Sequence, residues 1–306
     1  MARVRKYRVL DRDYPHPLRD LTSPPDPLYV RGELMPAPAV AIVGTREPSE
    51  QAKKYARDLA FRLARCGVTV WSGGAIGIDA AAHGGALDAG GTSIAVIGTG
   101  LDHCYPPEHA ALYEELVLAG GALVSPFERT QHATLTTFPQ RNGVLAALTQ
   151  AVVVVQAPLK SGARSTAAFA RRLRRPLFVL PASPWDEKSA GNLAELDLGA
   201  RPLTDESHLF KLVGVPPPRA PPKPTVAERG SHPSSRFGDT LEEGLSEPHR
   251  AVFRALAGGV RHLDDLCLET GLPTPLVQEA LLTLTLEAVL VEGPVGWFRR
   301  LSVGKC

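Results

Sequence analysis

The 306-residue sequence predicts an α/β protein: an extended Rossmann-like, doubly wound and mostly parallel sheet, followed by a small C-terminal winged-helix domain. Three observations carry this reading. Six short apolar runs alternate with stretches of helical periodicity between residues 39 and 180, the pattern of a parallel sheet covered on both faces. The composition then changes over 215–244, beginning with VPPPRAPPKP, which has six prolines in ten residues. Such a stretch is a linker, semi-rigid at first and then flexible. Beyond it, three helical segments and a hairpin follow in winged-helix order. The expected domains are a lead-in over 1–38, the sheet domain over 39–214, the linker over 215–244 and the winged helix over 245–306.

The lead-in is rich in proline (Pro15, Pro17, Pro24, Pro25, Pro27) and is expected to lie extended across the surface of the sheet domain. The run 39–43, AVAIV, is the first buried strand, and Ser49 is placed to cap the helix after it. In that helix Ala52, Tyr55, Ala56, Leu59, Ala60 and Leu63 form one apolar face, and Gly67 ends it. Strand 68–72 then leads to helix 79–89, and strand 93–98 to helix 108–119. Strand 122–125 leads through a loop to helix 141–149, strand 151–155 leads to helix 165–174, and strand 177–180 closes the series. In the tail, helices are expected over 248–256, 262–270 and 274–284, with a hairpin over 288–299.

Sheets of this kind bind ligands at the carboxyl ends of their strands, and the polar residues of this chain gather there. The first strand delivers Gly44, Thr45 and Arg46, and the second delivers Ser72, Gly73, Gly74 and Gly77. A strand, a glycine turn and a helix start form an anion seat, because free N–H groups at the helix start point at a phosphate. Phe138, Arg141 and Asn142 stand around the start of the fourth helix, and Lys160, Ser161, Gly162 and Arg164 follow the fifth strand. Phe138 can lid the core or stack on a base; its place three residues before Arg141 suits stacking. Together these loops suit phosphates and a stacked base.

Charge supports a polyanion. From Arg129 to Trp185 there are eight basic residues and no acidic one, whereas 1–128 carries 13 basic and 15 acidic side chains. Cations so concentrated are what a nucleic-acid binder needs, although Arg171, Arg172, Arg174 and Arg175 can equally be the wet face of a helix. The tail, 241–306, carries 6 basic and 9 acidic residues, and its third helix has no cation. It therefore reads as a protein-interaction module more than as a reader of duplex DNA.

Several classes are disfavoured. No G-x-G-x-x-G occurs and the second strand ends without an acid, which argues against a dinucleotide oxidoreductase, and no G-x-x-x-x-G-K-[ST] occurs to form a P-loop. Asp79 and His83, one helical turn apart, read as helix bracing and not as an acid–base pair, and Asp102 with His103 has no nameable catalytic partner. The four cysteines are scattered and the histidines lack ligand spacing, so neither disulfides nor a metal site is expected, and no cofactor. No apolar run approaches the roughly 20 residues of a bilayer span and no signal segment opens the chain, so a cytoplasmic protein is expected.

The motifs in combination resemble the DNA-processing protein A (DprA/Smf) family. They are Gly44-Thr45-Arg46, Ser72 to Asp79 with His83, Tyr105-Pro106, Phe138 to Asn142, Ser161-Gly162 with Thr166, and Gly191-Asn192, together with the proline-rich lead-in. The resemblance covers about 14–212, and the tail is similar to the winged helix that many members carry. It implies a non-enzymatic, single-stranded DNA-binding protein of natural transformation. Such a protein guards incoming strands, forms a homodimer, and loads the RecA recombinase onto DNA coated with single-strand-binding protein. It implies too that Gly44, Thr45, Arg46, Ser72, Gly73, Gly74 and Gly77 hold phosphates, that Phe138 stacks, and that Arg141, Asn142, Ser161 and Gly162 line the groove. The chain departs from the family's usual residues at Gly143, Arg164 and Ala182. The alternative is a nucleotide-hydrolysing enzyme similar to the phosphoribohydrolases, whose glycine loop ends in a glutamate; residues 160–166 contain no acid.

Overall fold

The computed structural model describes residues 4–34, 38–217, 245–259, 261–286, 290–292 and 297–300. The chain forms two compact units, 1–223 and 224–306.

In the first unit, the parallel strands are β3 (Ala39–Val43), β4 (Thr69–Ser72), β5 (Ser93–Val96), β6 (Ala122–Ser125), β7 (Ala151–Val154), β8 (Leu177–Val179) and a short β9 (Arg201–Pro202). Residues of β3 to β8 are buried on both faces, which is why these runs are mainly apolar and do not alternate with polar residues; the hydroxyl residues Thr69, Ser72, Ser93 and Ser125 stand only at strand ends. The period-two geometry of β3 divides the core. Ala39, Ala41 and Val43 face one layer, built on helices α4 (Thr137–Ala147) and α5 (Gly162–Arg172). Val40 and Ile42 face the other layer, built on α1 (Glu50–Arg65) and α2 (Ile78–Asp88). Helix α3 (Ala110–Leu118) packs beside β5 and β6. The Ser49 hydroxyl accepts from the Ala52 N–H at 3.2 Å and caps α1 as expected, and Leu59 and Leu63 are fully buried beneath it. Truncating Leu63 to alanine would cost about 2–5 kcal/mol.

The lead-in departs from expectation. Its residues form β1 (Val4–Tyr7) and β2 (Leu28–Gly32), and β2 pairs antiparallel with β6, Tyr29 opposite Ser125. The segment does not drape over the sheet; it extends it, and Tyr14 and Leu18 are buried in the same core as Val144 and Leu145. The prolines lie before β2, where their missing N–H groups break no ladder bond. Two helices absent from the sequence reading, α6 (Ala190–Asp197) and α7 (Ser207–Leu212), follow β8.

The strand order is β1-β2-β6-β5-β4-β3-β7-β8-β9. After β3 the chain adds β4, β5 and β6 on one side and later β7, β8 and β9 on the other. The reversal leaves a crevice at the carboxyl end of β3, where such sheets hold ligands.

The second unit contains α8 (Glu247–Ala255), α9 (Leu263–Thr270) and α10 (Thr274–Leu286) around a core of Val252, Phe253, Leu266, Val277, Leu281 and Leu284. Strands β11 (Leu290–Glu292) and β12 (Trp297–Arg300) make the expected hairpin, and β10 (Arg261–His262), missed by the sequence reading, pairs with β12 on its other edge. The rest of the expected hairpin span, 288–289 and 293–296, lies outside the described residues, as does 218–244 of the linker. No described helix is long and apolar enough to cross a membrane.

Candidate functional site

The crevice at β3 is a cleft of about 290 Å³. Gly44, Thr45 and Arg46 enter it from the end of β3, and Gly73 from the end of β4. Phe138, Arg141 and Asn142 come from α4, and Lys160, Ser161 and Gly162 from the loop after β7 and the start of α5. Ten of the residues singled out in the sequence thus meet in one place. Gly74 lies in an adjoining recess shared by Arg46, Tyr105, Phe138 and Arg141. Ser72, Gly77 and Arg164 line neither.

Phe138 lies within a helix and not in the loop expected before residue 141, and Arg141 and Asn142 fall in its second turn. Helix α4 starts four residues early, at Thr137, where Thr134 and Thr137 exchange hydroxyl and backbone bonds of 3.1 and 3.3 Å. Pro139 is tolerated in this first turn. From Arg141 to Ala147 every residue is buried, so the guanidinium is carried into the protein. Its Nη1 donates to the Gly73 carbonyl and to the Val96 carbonyl, the latter at 2.5 Å, while Nε has no partner in the described structure. Burial pushes this guanidinium below its usual range, and the nearby Asp79 carboxylate works the other way.

The glycine turn is an anion seat, but the chain fills it. Asp79 Oδ2 accepts from the N–H groups of Gly73 at 3.1 Å and Ala75 at 3.3 Å, and the Ile78 N–H donates to the Thr45 carbonyl at 3.2 Å. The Gly73 and Ala75 N–H groups therefore do not stand free as expected, because a carboxylate in the first turn of α2 accepts from them. Burial raises the Asp79 carboxyl, against the opposing pull of Arg141 and the bonds it accepts. Ser72 is likewise corrected: it is fully buried and its hydroxyl donates to the Ile42 carbonyl at 2.6 Å, which turns it away from any ligand.

The glycines are explained by close approach. A side chain at Gly73 would collide with the Arg141 guanidinium. Gly77 caps α2 with φ of 85°, against the carbonyls of Thr45 and Arg46, a conformation that disfavours other residues. Asp79 and His83 brace α2, as expected of them. The Ser93 hydroxyl donates to the Val70 carbonyl, so the His83 Nδ1–H must donate to Ser93 at 2.8 Å, leaving Nε2 unpartnered. Burial holds this imidazole down at about 3.

The exposed parts of the cleft are cationic and aromatic. Arg46 is exposed, forms no ion pair among the described residues, and holds its guanidinium carbon 5.4 Å from the Phe138 ring centre. Phe138 is half-buried, with Tyr105 at 5.7 Å between ring centres. Tyr105, part of the Tyr105-Pro106 motif but not among the expected site residues, completes an aromatic wall. Its signal was an aromatic residue in the loop beyond β5, a carboxyl end like the others. Lys160 is exposed at the opposite lip. Ser161 caps α5 by accepting from Ala163, and Asn142 Nδ2 donates to the Gly162 carbonyl at 3.2 Å, so both shape the lip. Arg164 points elsewhere, to Glu195 at 2.8 Å. Asn192, named in the sequence motifs, is a strut: its amide donates to the Val155 and Leu180 carbonyls. Among the described residues no group of His, Cys, Asp or Glu could hold a metal ion.

The chain is 34% identical over 93% of its length to Protein Smf of Synechocystis, covering 77% of that protein. It is 32% identical over 94% of its length to Protein Smf of Escherichia coli, covering 75% of it. Among solved structures, DNA processing protein A from Streptococcus pneumoniae superposes with a TM-score of 0.63 at 32% identity, covering 68% of this chain and 74% of that one. A structure concerned with the single-stranded DNA binding mode of DNA processing protein A from Helicobacter pylori gives 0.61 at 30% identity, covering 69% and 95%. The DprA winged-helix domain matches residues 239–294. With residues 6–214 also matching the family described as DNA recombination-mediator protein A, the chain belongs to that family.

Proposed function

We propose that the cleft at the carboxyl end of β3 grips the sugar-phosphate backbone of single-stranded DNA without cleaving it. The observation that carries this is the cation arrangement. Arg141 is a buried guanidinium with one unpartnered N–H and no ion pair among the described residues, Arg46 stands close enough to repel it, and Lys160 closes the other lip. Asp79 offsets the Arg141 charge, so Arg46 and Lys160, which form no ion pair among the described residues, are the excess cations that a phosphate in the cleft would complement. Phe138, over which Arg46 lies, offers a face for an unstacked base. The Helicobacter pylori relative studied for single-stranded DNA binding supports the same reading.

On this reading the protein guards single strands in natural transformation and recombination, acts as a homodimer, and delivers the strand to the RecA recombinase in the presence of single-strand-binding protein. The winged-helix unit meets protein rather than duplex: α10 exposes Leu276, Gln278, Glu279 and Leu282 and carries no cation. A mobility-shift competition between oligothymidylate, duplex and a nucleoside monophosphate tests the proposal. Preference for the single strand with no consumption of the monophosphate supports it, whereas hydrolysis abolished by a cleft substitution would replace it with the enzyme.

A further inference from the structure

The run Arg171, Arg172, Arg174, Arg175 is not absorbed by the cleft. Arg171, Arg174 and Arg175 meet Arg201 around a concavity of about 280 Å³. It lies where β8 and β9 begin, on the sheet edge opposite the cleft. Among the described residues one acid pairs with the group: Glu195, almost wholly buried, accepts from both Arg164 and Arg171 and so offsets one of two charges. Arg175 donates to the Ala147 carbonyl at 3.1 Å and keeps a buried Nε without a partner. Arg174 and Arg201 are exposed and form no ion pair among the described residues.

The backbone adds a second, independent observation. Arg174 has φ of 54° and is the one non-glycine residue with positive φ among those described. It occupies the turn that ends α5, the Arg175 N–H donating back to the Ala170 carbonyl at 2.8 Å. Glycine is the favoured residue at such a position, and a bulky side chain there is strained. An arginine held in a strained conformation beside three others is the kind of outlier from which function is inferred.

We infer that this concavity is a second phosphodiester-binding site, taking the backbone of a strand that leaves the cleft along α5; the inference rests on the single-strand reading of the cleft. Helix α5 joins the two places. Gly162 and Ala163 at its start line the cleft and Arg171 near its end lines the concavity. Its 11 residues span about 16 Å, the length of a few nucleotides of unpaired strand. Arg164 and Arg171, seven residues apart, share one face between the ends, which gives Arg164 a place on the path instead of in the cleft.

The test is oligothymidylate binding to the full chain across a salt series, with a trinucleotide that fits the cleft alone and a strand of about 20 nucleotides that spans both sites. Arg174→Gly should lower long-strand affinity severalfold and flatten its log–log salt slope by about 0.7. Trinucleotide binding should be unchanged and the melting temperature unchanged or higher, because glycine relieves the turn. Arg201→Gln, at an exposed position, should act likewise. Long-strand slopes unchanged in both variants overturn the second site while leaving the cleft intact. If the unmodified protein ignores both oligonucleotides, the cleft reading fails and takes this site with it. Displacement of the long strand by polyglutamate, lost in Arg174→Gly, would show an acidic-peptide site and overturn the inference too.

Discussion

Arg46 and Arg141 line the same cleft, yet replacing them should have opposite signatures. Arg46 is exposed and touches the Phe138 ring, a contact that contributes about 0.5–1 kcal/mol at such a site. Arg46→Ala should therefore shift the melting temperature by no more than about 4 °C, at about 2–4 °C per kcal/mol for a unit of this size. It should flatten the salt slope of oligothymidylate binding by about 0.7, one phosphate contact. Arg141→Ala removes the donor to the Gly73 and Val96 carbonyls and the cation nearest Asp79. Each carbonyl left unpaired costs about 1–3 kcal/mol, so the melting temperature should fall on the order of 10 °C. Scanning calorimetry of both variants, alongside anisotropy titrations at several salt concentrations, separates the two roles. An Arg141→Ala protein that melts like the parent would refute the claim that this arginine clamps the glycine turn. A stable Arg46→Ala protein with an unchanged slope would remove Arg46 from the phosphate path.

Phe138→Leu keeps an apolar group beneath Tyr105 and removes the stacking face, so single-strand affinity should drop by about 1–3 kcal/mol, read by the same titration; equal affinity would make Phe138 only a lid. His83 is neutral when folded, held at about 3 against an ordinary value near 6.5. Stability is thus fully present above pH 6.5 and is lost as pH falls towards 3, by about 1.4 kcal/mol per unit. Asp79, with its carboxyl raised, acts in the opposite sense, so the slope is read as the difference between the parent and His83→Leu in urea melts from pH 7 to 4; identical slopes would contradict the assignment. Deleting 241–306 should leave most single-strand affinity, since the removed segment has more acids than bases; a hundredfold loss by mobility shift would mean the tail holds DNA.

Much of the α/β unit was legible because strands buried on both faces must be continuously apolar, as 151–154 and 39–43 are. The lead-in strand was hidden by its prolines, which read as breakers although they stand outside the ladder. Helices α6 and α7 sit in a mixed, acidic stretch with little periodicity. The gathering of Arg46, Phe138, Arg141 and Lys160 followed from strand ends alone. What the glycines do there did not, since the reasons for Gly73 and Gly74 are Arg141 and the Tyr113 hydroxyl, brought in from distant segments. One signal for the burial of Arg141 was available: RNGVLAAL offers no polar face after its first turn, so any cation on that helix had to go inside.

The central claim is that these cations hold the backbone of an unpaired strand. Binding of fluorescent oligothymidylate in competition with duplex and with a nucleoside monophosphate, at low and at moderate salt, tests it most directly. The account predicts tight, steeply salt-dependent binding that neither competitor displaces and that leaves the monophosphate intact. Equal displacement by the duplex, or turnover of the monophosphate, would contradict it.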